Sequence, residues 1–245
     1  MGRLSGHRIL ITRAHPGTEA LAARLEALGA FVVVAPTITV RPVDDPRDML
    51  SQVARLTPQD WVVITSPTAA RIWATLTRTH PSRARLAAIG QATAEALSGE
   101  GLPVAFVGER ATGAALAKAL AALGGNGRFL LPRSDKAVAE LPDGLRAAGM
   151  AVVECDLYQT LPRFWTEAER KAVGTGVDVV TLMSPSALNG LLSQPGTEAW
   201  LAGTKLVAMG PTTAAAVQAR LGRLDGAADP PSLDGLIDAI CCVSG

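Results

Sequence analysis

Two ten-residue stretches, 61–70 (WVVITSPTAA) and 179–188 (VVTLMSPSAL), encode the same local structure. In each, an apolar run suits a short buried strand. A Ser-Pro pair follows; serine is a strong helix N-cap and proline fits the first helical position. A helix therefore opens at a strand tip, and its free N–H groups and positive dipole end suit a carboxylate or phosphate. One copy alone would be ordinary capping. The copies have company, however. Arg13 and Arg133, Gly29 and Gly149, Gly90 and Gly210, and Thr93 and Thr213 all recur at an offset of 120 residues, while Ser66 and Ser184 recur at 118. A two-residue loop difference absorbs that slip, and the chain reads as an internal repeat.

Each repeat alternates strands and helices. Residues 8–12 (RILIT) form a strand, 17–28 a helix ending at Gly29, and 30–35 (AFVVVA) a second strand. Pro36, Pro42 and Pro46 then mark an extended stretch, read as a linker. A helix over 46–56 precedes the strand at 61–64, and the helix after the Ser-Pro turn runs on to residue 77. Strands at 86–89 and 103–107 and helices at 92–97 and 111–123 complete the first pass. The second pass places strands at 128–131, 150–155, 177–183 and 205–209, and helices at 137–148, 166–172, 212–221 and 232–240. Residues 157–162, with the only tyrosine, Tyr158, form a second linker. Short apolar strands alternating with helices predict an α/β fold with parallel sheets covered on both faces. Two five-strand units of flavodoxin-like winding follow, with ligands at the carboxyl ends of the strands. Periodicity alone equally suits a plain tandem, 1–123 and 124–245.

The composition narrows the partners. The chain has 245 residues, 48% of them hydrophobic, and a net charge of +1, so nucleic acid is not expected as a partner and an anionic ligand needs a local site. Three cysteines, Cys155, Cys241 and Cys242, lack a disulfide framework and fit a reducing cytoplasm. No signal peptide or membrane span is expected.

The candidate binding groups are Thr65, Ser66 and Thr93 in one unit and Ser184, Ser186, Thr212 and Thr213 in the other. With Arg13 and Arg133, each just after a first strand, they offer mainly neutral donors for several carboxylates. Taken singly, each hydroxyl is also a plain helix cap, and each arginine a plain surface charge. Tyr158 either turns its hydroxyl toward the ligand or packs at a hinge. His7, His15 and His80 lack metal-ligand spacing, GGNG at 124–127 precedes a strand and so is a turn, and no GxSxG elbow occurs.

The segments ILITRAHPGTEALAARLEALGA, TSPTAA, AIGQATAEAL, DLYQT, MSPSAL and MGPTTAAAV, in this order and spacing, resemble the uroporphyrinogen-III synthase family over about residues 8–240. The resemblance implies two flavodoxin-like parallel-sheet lobes joined by a two-stranded linker, with an exchange of chain. Residues 1–36 and 161–245 make one lobe, 43–156 the other, and 37–42 and 157–160 the linkers. It implies a cyclising lyase of haem and tetrapyrrole biosynthesis that needs no metal or organic cofactor and dehydrates and closes hydroxymethylbilane with the last pyrrole inverted. Tyr158 matches the family's linker tyrosine, the candidate for assisting departure of the hydroxyl. Thr65, Ser66, Thr93, Ser184, Thr212 and Thr213 match its carboxylate-binding positions. Met183 and Gln91-Ala92 depart from the residues common in those places. A cytoplasmic monomer is expected, without membrane or nucleic-acid partners and with transient contact to the preceding pathway enzyme. The alternatives are a non-catalytic two-lobed protein binding a tetrapyrrole or small anion, and a pair of units with a purely structural cleft.

Overall fold

A computed structural model describes residues 2–14 and 18–245. The chain opens with β1 (Arg8–Ile11), α1 (Thr18–Ala27) and β2 (Phe31–Val34), then enters β3 (Ile38–Pro42). Next come α2 (Arg47–Ala54), β4 (Trp61–Ile64), α3 (Pro67–Thr77), β5 (Arg85–Ala88), α4 (Gln91–Gly99), β6 (Phe106–Val107) and α5 (Gly113–Ala122). They are followed by β7 (Phe129–Ser134), α6 (Glu140–Ala147) and β8 (Val152–Pro162). The last stretch holds α7 (Glu167–Gly174), β9 (Val179–Leu182), α8 (Pro185–Leu192), α9 (Thr197–Leu201), β10 (Lys205–Ala208), α10 (Pro211–Leu221), β11 (Gly226–Ala227) and α11 (Leu233–Ser244).

Two compact units result. The first combines Met1–Thr39 with Leu161–Gly245; the second is the continuous segment Val40–Thr160. In the first unit the sheet order is β2-β1-β9-β10-β11, and every pairing is parallel. This is the flavodoxin order 2-1-3-4-5, with β1 bonded to a strand some 170 residues away through pairs such as Ile9–Val179. A plain tandem of 1–123 and 124–245 is thereby replaced by the exchanged arrangement.

The second sheet runs β3-β8-β7-β4-β5-β6. Without β3 it has the same spatial order, but the chain enters it at the third position, so it is a permutation of the first. The expected strand at 150–155 and linker at 157–162 form one eleven-residue strand, β8. The first linker stretch likewise supplies β3, which lies beside it.

Both sheets are buried on two faces. Trp61, Val62, Val63 and Ile64 of β4 are all buried; Val62 and Ile64 join one core cluster and Trp61 and Val63 another. The period-two alternation of a strand puts neighbours on opposite faces, and a strand covered on both sides must be apolar throughout. In the first unit, Ile9 and Ile11 face one cluster and Leu10 the other. Gly29 and Gly149 end α1 and α6 with φ of +93° and +78°, the left-handed turn that glycine adopts without steric penalty.

Three elements differ from expectation. The strand expected at 103–107 is reduced to Phe106–Val107, because Pro103 has no N–H to add to a ladder. In the first unit β11 is only Gly-Ala, too short and too small to leave an apolar signature. Helix α9, with five residues, is likewise too short for periodicity to reveal.

Candidate functional site

In each sheet one crevice lies between strands whose connections leave in opposite directions, and open α/β sheets bind ligands at that point, beyond the strand carboxyl ends. In the second unit it falls between β7 and β4; in the first, between β1 and β9.

The β7/β4 crevice is built from the TSP turn. β4 ends at Ile64, half-buried Thr65 follows, and Ser66 takes an extended backbone (φ −159°, ψ 154°) as N-cap of α3. Its Oγ accepts the Ala69 N–H at 3.0 Å. The same oxygen lies 3.3 Å from the Tyr158 hydroxyl, either atom donating. Tyr158 is 8% exposed and shares a core cluster with Ile64, Trp73 and Leu157. The ring is packed in that cluster and the hydroxyl emerges at the cap of α3. On the next strand tip, Gly90 caps α4 in an extended conformation (φ −174°, ψ 179°), and Thr93 is buried in its first turn.

Arg133 stands at the end of β7, beside the same crevice. Its guanidinium is already engaged: it pairs with Glu154 and donates to the carbonyls of Ala137 and Val138. Arg146 holds the other Glu154 oxygen at 2.7 Å. Nearby, a cavity of about 570 Å³ is lined by Arg133 together with Asp45, Asp48, Asp135, Glu154 and Asp156. Five carboxylates against one guanidinium repel an anion, so this hollow does not suit a polycarboxylate.

The first unit repeats the design. Ser184 caps α8 in an extended conformation (φ −162°, ψ 160°) and accepts the Ala187 N–H at 3.1 Å. Ser186 is half-buried in the first turn. Gly210 caps α10, where Thr212 is exposed and Thr213 buried. Arg13 is half-buried after β1, and its carbonyl accepts the Thr18 hydroxyl at 3.0 Å. Thus Ser66 and Tyr158 meet at one crevice, with Thr65 next to Ser66 in the chain and Thr93 on the adjoining tip, whereas the Arg133 guanidinium is turned to Glu154. At the other, Ser184 and Ser186 lie at the tip of β9 and Arg13 follows β1, with Thr212 and Thr213 on the next strand tip. His15, Pro16 and Gly17 of the opening motif lie outside the described residues.

Sequence reasoning missed two sets of residues. Thr37, fully buried, donates its hydroxyl to the Ala187 carbonyl at 2.8 Å, holding the first turn of α8. Its carbonyl accepts the Arg163 N–H at 2.9 Å. The turn Ser134-Asp135-Lys136 grips β8 around Tyr158. Neither carries a local signature, since each acts on a distant segment. Among the described residues, no group of three or more His, Cys, Asp or Glu side chains could hold a metal ion, and no helix is long and apolar enough to cross a membrane.

Fold and crevices together define a duplicated, doubly wound α/β protein whose strand tips present hydroxyls and helix N-termini. The model of the family described as "Uroporphyrinogen-III synthase HemD" matches residues 19–238. The chain belongs to the uroporphyrinogen-III synthase family. It is 26% identical over 254 residues to the uroporphyrinogen-III synthase of Synechococcus elongatus, covering 97% of this chain and 95% of that one. It is 28% identical over 242 residues to the chloroplastic enzyme of Oryza sativa, covering 95% of this chain and 79% of that one. The fold is similar to the crystal structure of a mutant uroporphyrinogen III synthase of Thermus thermophilus (TM-score 0.64, 21% identity, 97% and 98% of the two chains). It is also similar to that of uroporphyrinogen-III synthetase from Helicobacter pylori (TM-score 0.64, 16% identity, 97% and 99%).

Proposed function

We propose that this chain is a cytoplasmic, cofactor-independent cyclising hydro-lyase that converts hydroxymethylbilane into uroporphyrinogen III. Family membership supports the reaction, and the meeting of the Tyr158 hydroxyl with Ser66 at the tip of β4 carries the assignment of its chemistry. A pyrrole nitrogen expels the terminal hydroxyl as the Tyr158 phenol lends it a proton, and water leaves. The azafulvene so formed is attacked by the substituted carbon of the last pyrrole. The resulting spiro ring breaks and recloses with that pyrrole inverted, and the proton lost on rearomatisation restores the phenol. In this reading Ser66, 3.3 Å from the phenol, accepts from it or donates to the departing oxygen. On the same reading positioning supplies most of the rate.

In this reading Thr65, Ser66, Thr93, Ser184, Ser186, Thr212 and Thr213, with the N–H groups of their helices, hold acetate and propionate side chains. Arg13 and Arg133 act beside the same crevices, Arg133 by shaping its turn while paired with Glu154. Residues 37–42 and 157–160 connect the two units, and the working form is a monomer.

Chromatography of the product from purified protein and hydroxymethylbilane tests the reading. Mainly the inverted isomer is expected; only the uninverted isomer would refute it. Tyr158→Phe should lower kcat more than it raises KM, and an unchanged kcat would remove the phenol from the mechanism.

A further inference from the structure

The register between β7 and β8 breaks at one place. From Phe129–Val152 to Arg133–Asp156 the residues pair one to one. The next pair is Ser134–Tyr158, so Leu157 is an extra residue on β8. Before the break the alternation is regular: Val153 and Cys155 pack on one core cluster, while Val152 packs on the cluster of the opposite face. Leu157 continues on the Val153 side. Tyr158 should then turn away to the face of Glu154 and Asp156, yet it lies in the same cluster as Leu157. A bulge re-aims a side chain in this way. Here it swings the only tyrosine from the acidic face to Ser66.

The bulge is held from one side by a single turn. The Asp135 N–H donates to the Tyr158 carbonyl at 3.2 Å. The Thr160 N–H donates to Asp135 Oδ1 at 3.1 Å, and the Ser134 hydroxyl donates to the same oxygen at 3.0 Å. Lys136 Nζ donates to the Thr160 carbonyl at 2.5 Å. Asp135 thus binds β8 twice just beyond the end of β7, its N–H at the Tyr158 carbonyl and its carboxylate at the Thr160 N–H.

We propose that Asp135 is a positioning residue for Tyr158, fixing the bulge of β8 so that the phenol meets Ser66. The proposal rests on the reading of Tyr158 as proton donor. A shift of about 1 Å at a reacting group can cost up to about a hundredfold in rate. Asp135 is exposed, so truncating it leaves the core intact.

The test uses the full chain grown with tyrosine labelled at the ring carbon bearing the hydroxyl; one NMR resonance then reports Tyr158 alone. Asp135→Ala should move or split that resonance and lower kcat about tenfold or more with KM changed less than about threefold. Asp135→Asn, whose amide oxygen can still accept from Thr160, should restore most of both. In the Tyr158→Phe background, Asp135→Ala should add little, because the two act as a unit. An unmoved resonance in Asp135→Ala overturns the proposal, as does an equal loss of kcat in both backgrounds. Lys136→Met gives an independent probe: it removes only the Nζ contact to the Thr160 carbonyl, whereas Asp135→Ala removes the carboxylate that holds the Thr160 N–H and the Ser134 hydroxyl. Lys136→Met should therefore move the resonance less than Asp135→Ala. If the resonance moves while Tyr158→Phe keeps full kcat, the positioning stands and the proton-donor reading falls.

Discussion

Asp60 offers a measurement of what holds the second unit together, because it lies at the amino end of β4, the opposite end from Ser66. The residue is 4% exposed. Oδ1 accepts the Arg128 N–H at 2.7 Å, and Oδ2 accepts the Thr57 N–H at 2.8 Å and the Thr57 hydroxyl at 3.0 Å. The Arg128 guanidinium reaches Oδ2 at 3.4 Å. Asp60→Asn cannot satisfy this set. Placed toward Arg128, the amide NH2 faces an N–H; placed toward Thr57, it faces an N–H and a guanidinium. Either orientation strands one buried donor, so the expected loss is about 2–4 kcal/mol. For a unit of this size that lowers the midpoint of thermal unfolding by roughly 8–16 °C. Burial pushes the Asp60 carboxyl up, but the hydrogen bonds from Arg128 and Thr57 outweigh it and hold it below the ordinary value. A depressed folded pKa gives stability that is complete above the unfolded value and lost as pH falls through the folded one. The gap between wild type and Asp60→Asn should therefore be full at pH 7 and shrink below about pH 4. Scanning calorimetry at both pH values reads it, and specific activity at 25 °C should stay within about twofold. Midpoints within about 2 °C at pH 7, or a gap unchanged at pH 3, would refute the reasoning.

Two further perturbations probe the first unit and the thiols. A Cβ on Gly190 would sit 2.1 Å from the Thr37 carbonyl oxygen, which is held from the other side by the Arg163 N–H. Gly190→Ala should destabilise the unit by about 3 kcal/mol despite its better helix propensity, and a melting curve matching wild type would contradict that. Burial raises the Cys155 thiol above its ordinary pKa, with Asp48 and Asp156 adding to it, and burial likewise raises Cys241, whereas Cys242 is exposed. Maleimide at neutral pH should modify Cys242 well before the other two; equally fast labelling of all three, read by mass spectrometry, would show the burial is wrong.

Much of this architecture is legible in the sequence because it is local. The caps at Ser66 and Ser184, the glycine stops at 29 and 149 and the apolar strands are each written within a few residues. The pairing of β1 with β9 is not, since nothing near Ile9 names Val179 as its neighbour; only the family resemblance supplied it. The contact between Ser66 and Tyr158 joins residues 92 apart and depends on a bulge that no period reveals. Arg133 illustrates the same limit: an arginine after a strand suits an anion, and its partner Glu154 becomes visible only once β7 and β8 lie side by side. Residue type offers candidates for binding, while strand register decides which of them already have protein partners.

The split of the first unit fixes an order of events during synthesis. Val40–Thr160 leaves the ribosome as one uninterrupted run and can complete all of its pairings from β4 to β8 with residues already made. β1, by contrast, has one flank covered by β2 at once and the other bare until Val179–Leu182 emerges. The amino-terminal unit of strand, helix and strand must therefore wait with an apolar edge unpaired while the middle of the protein folds, which makes that interval the one in which a chaperone or a mistaken strand partner has its opening.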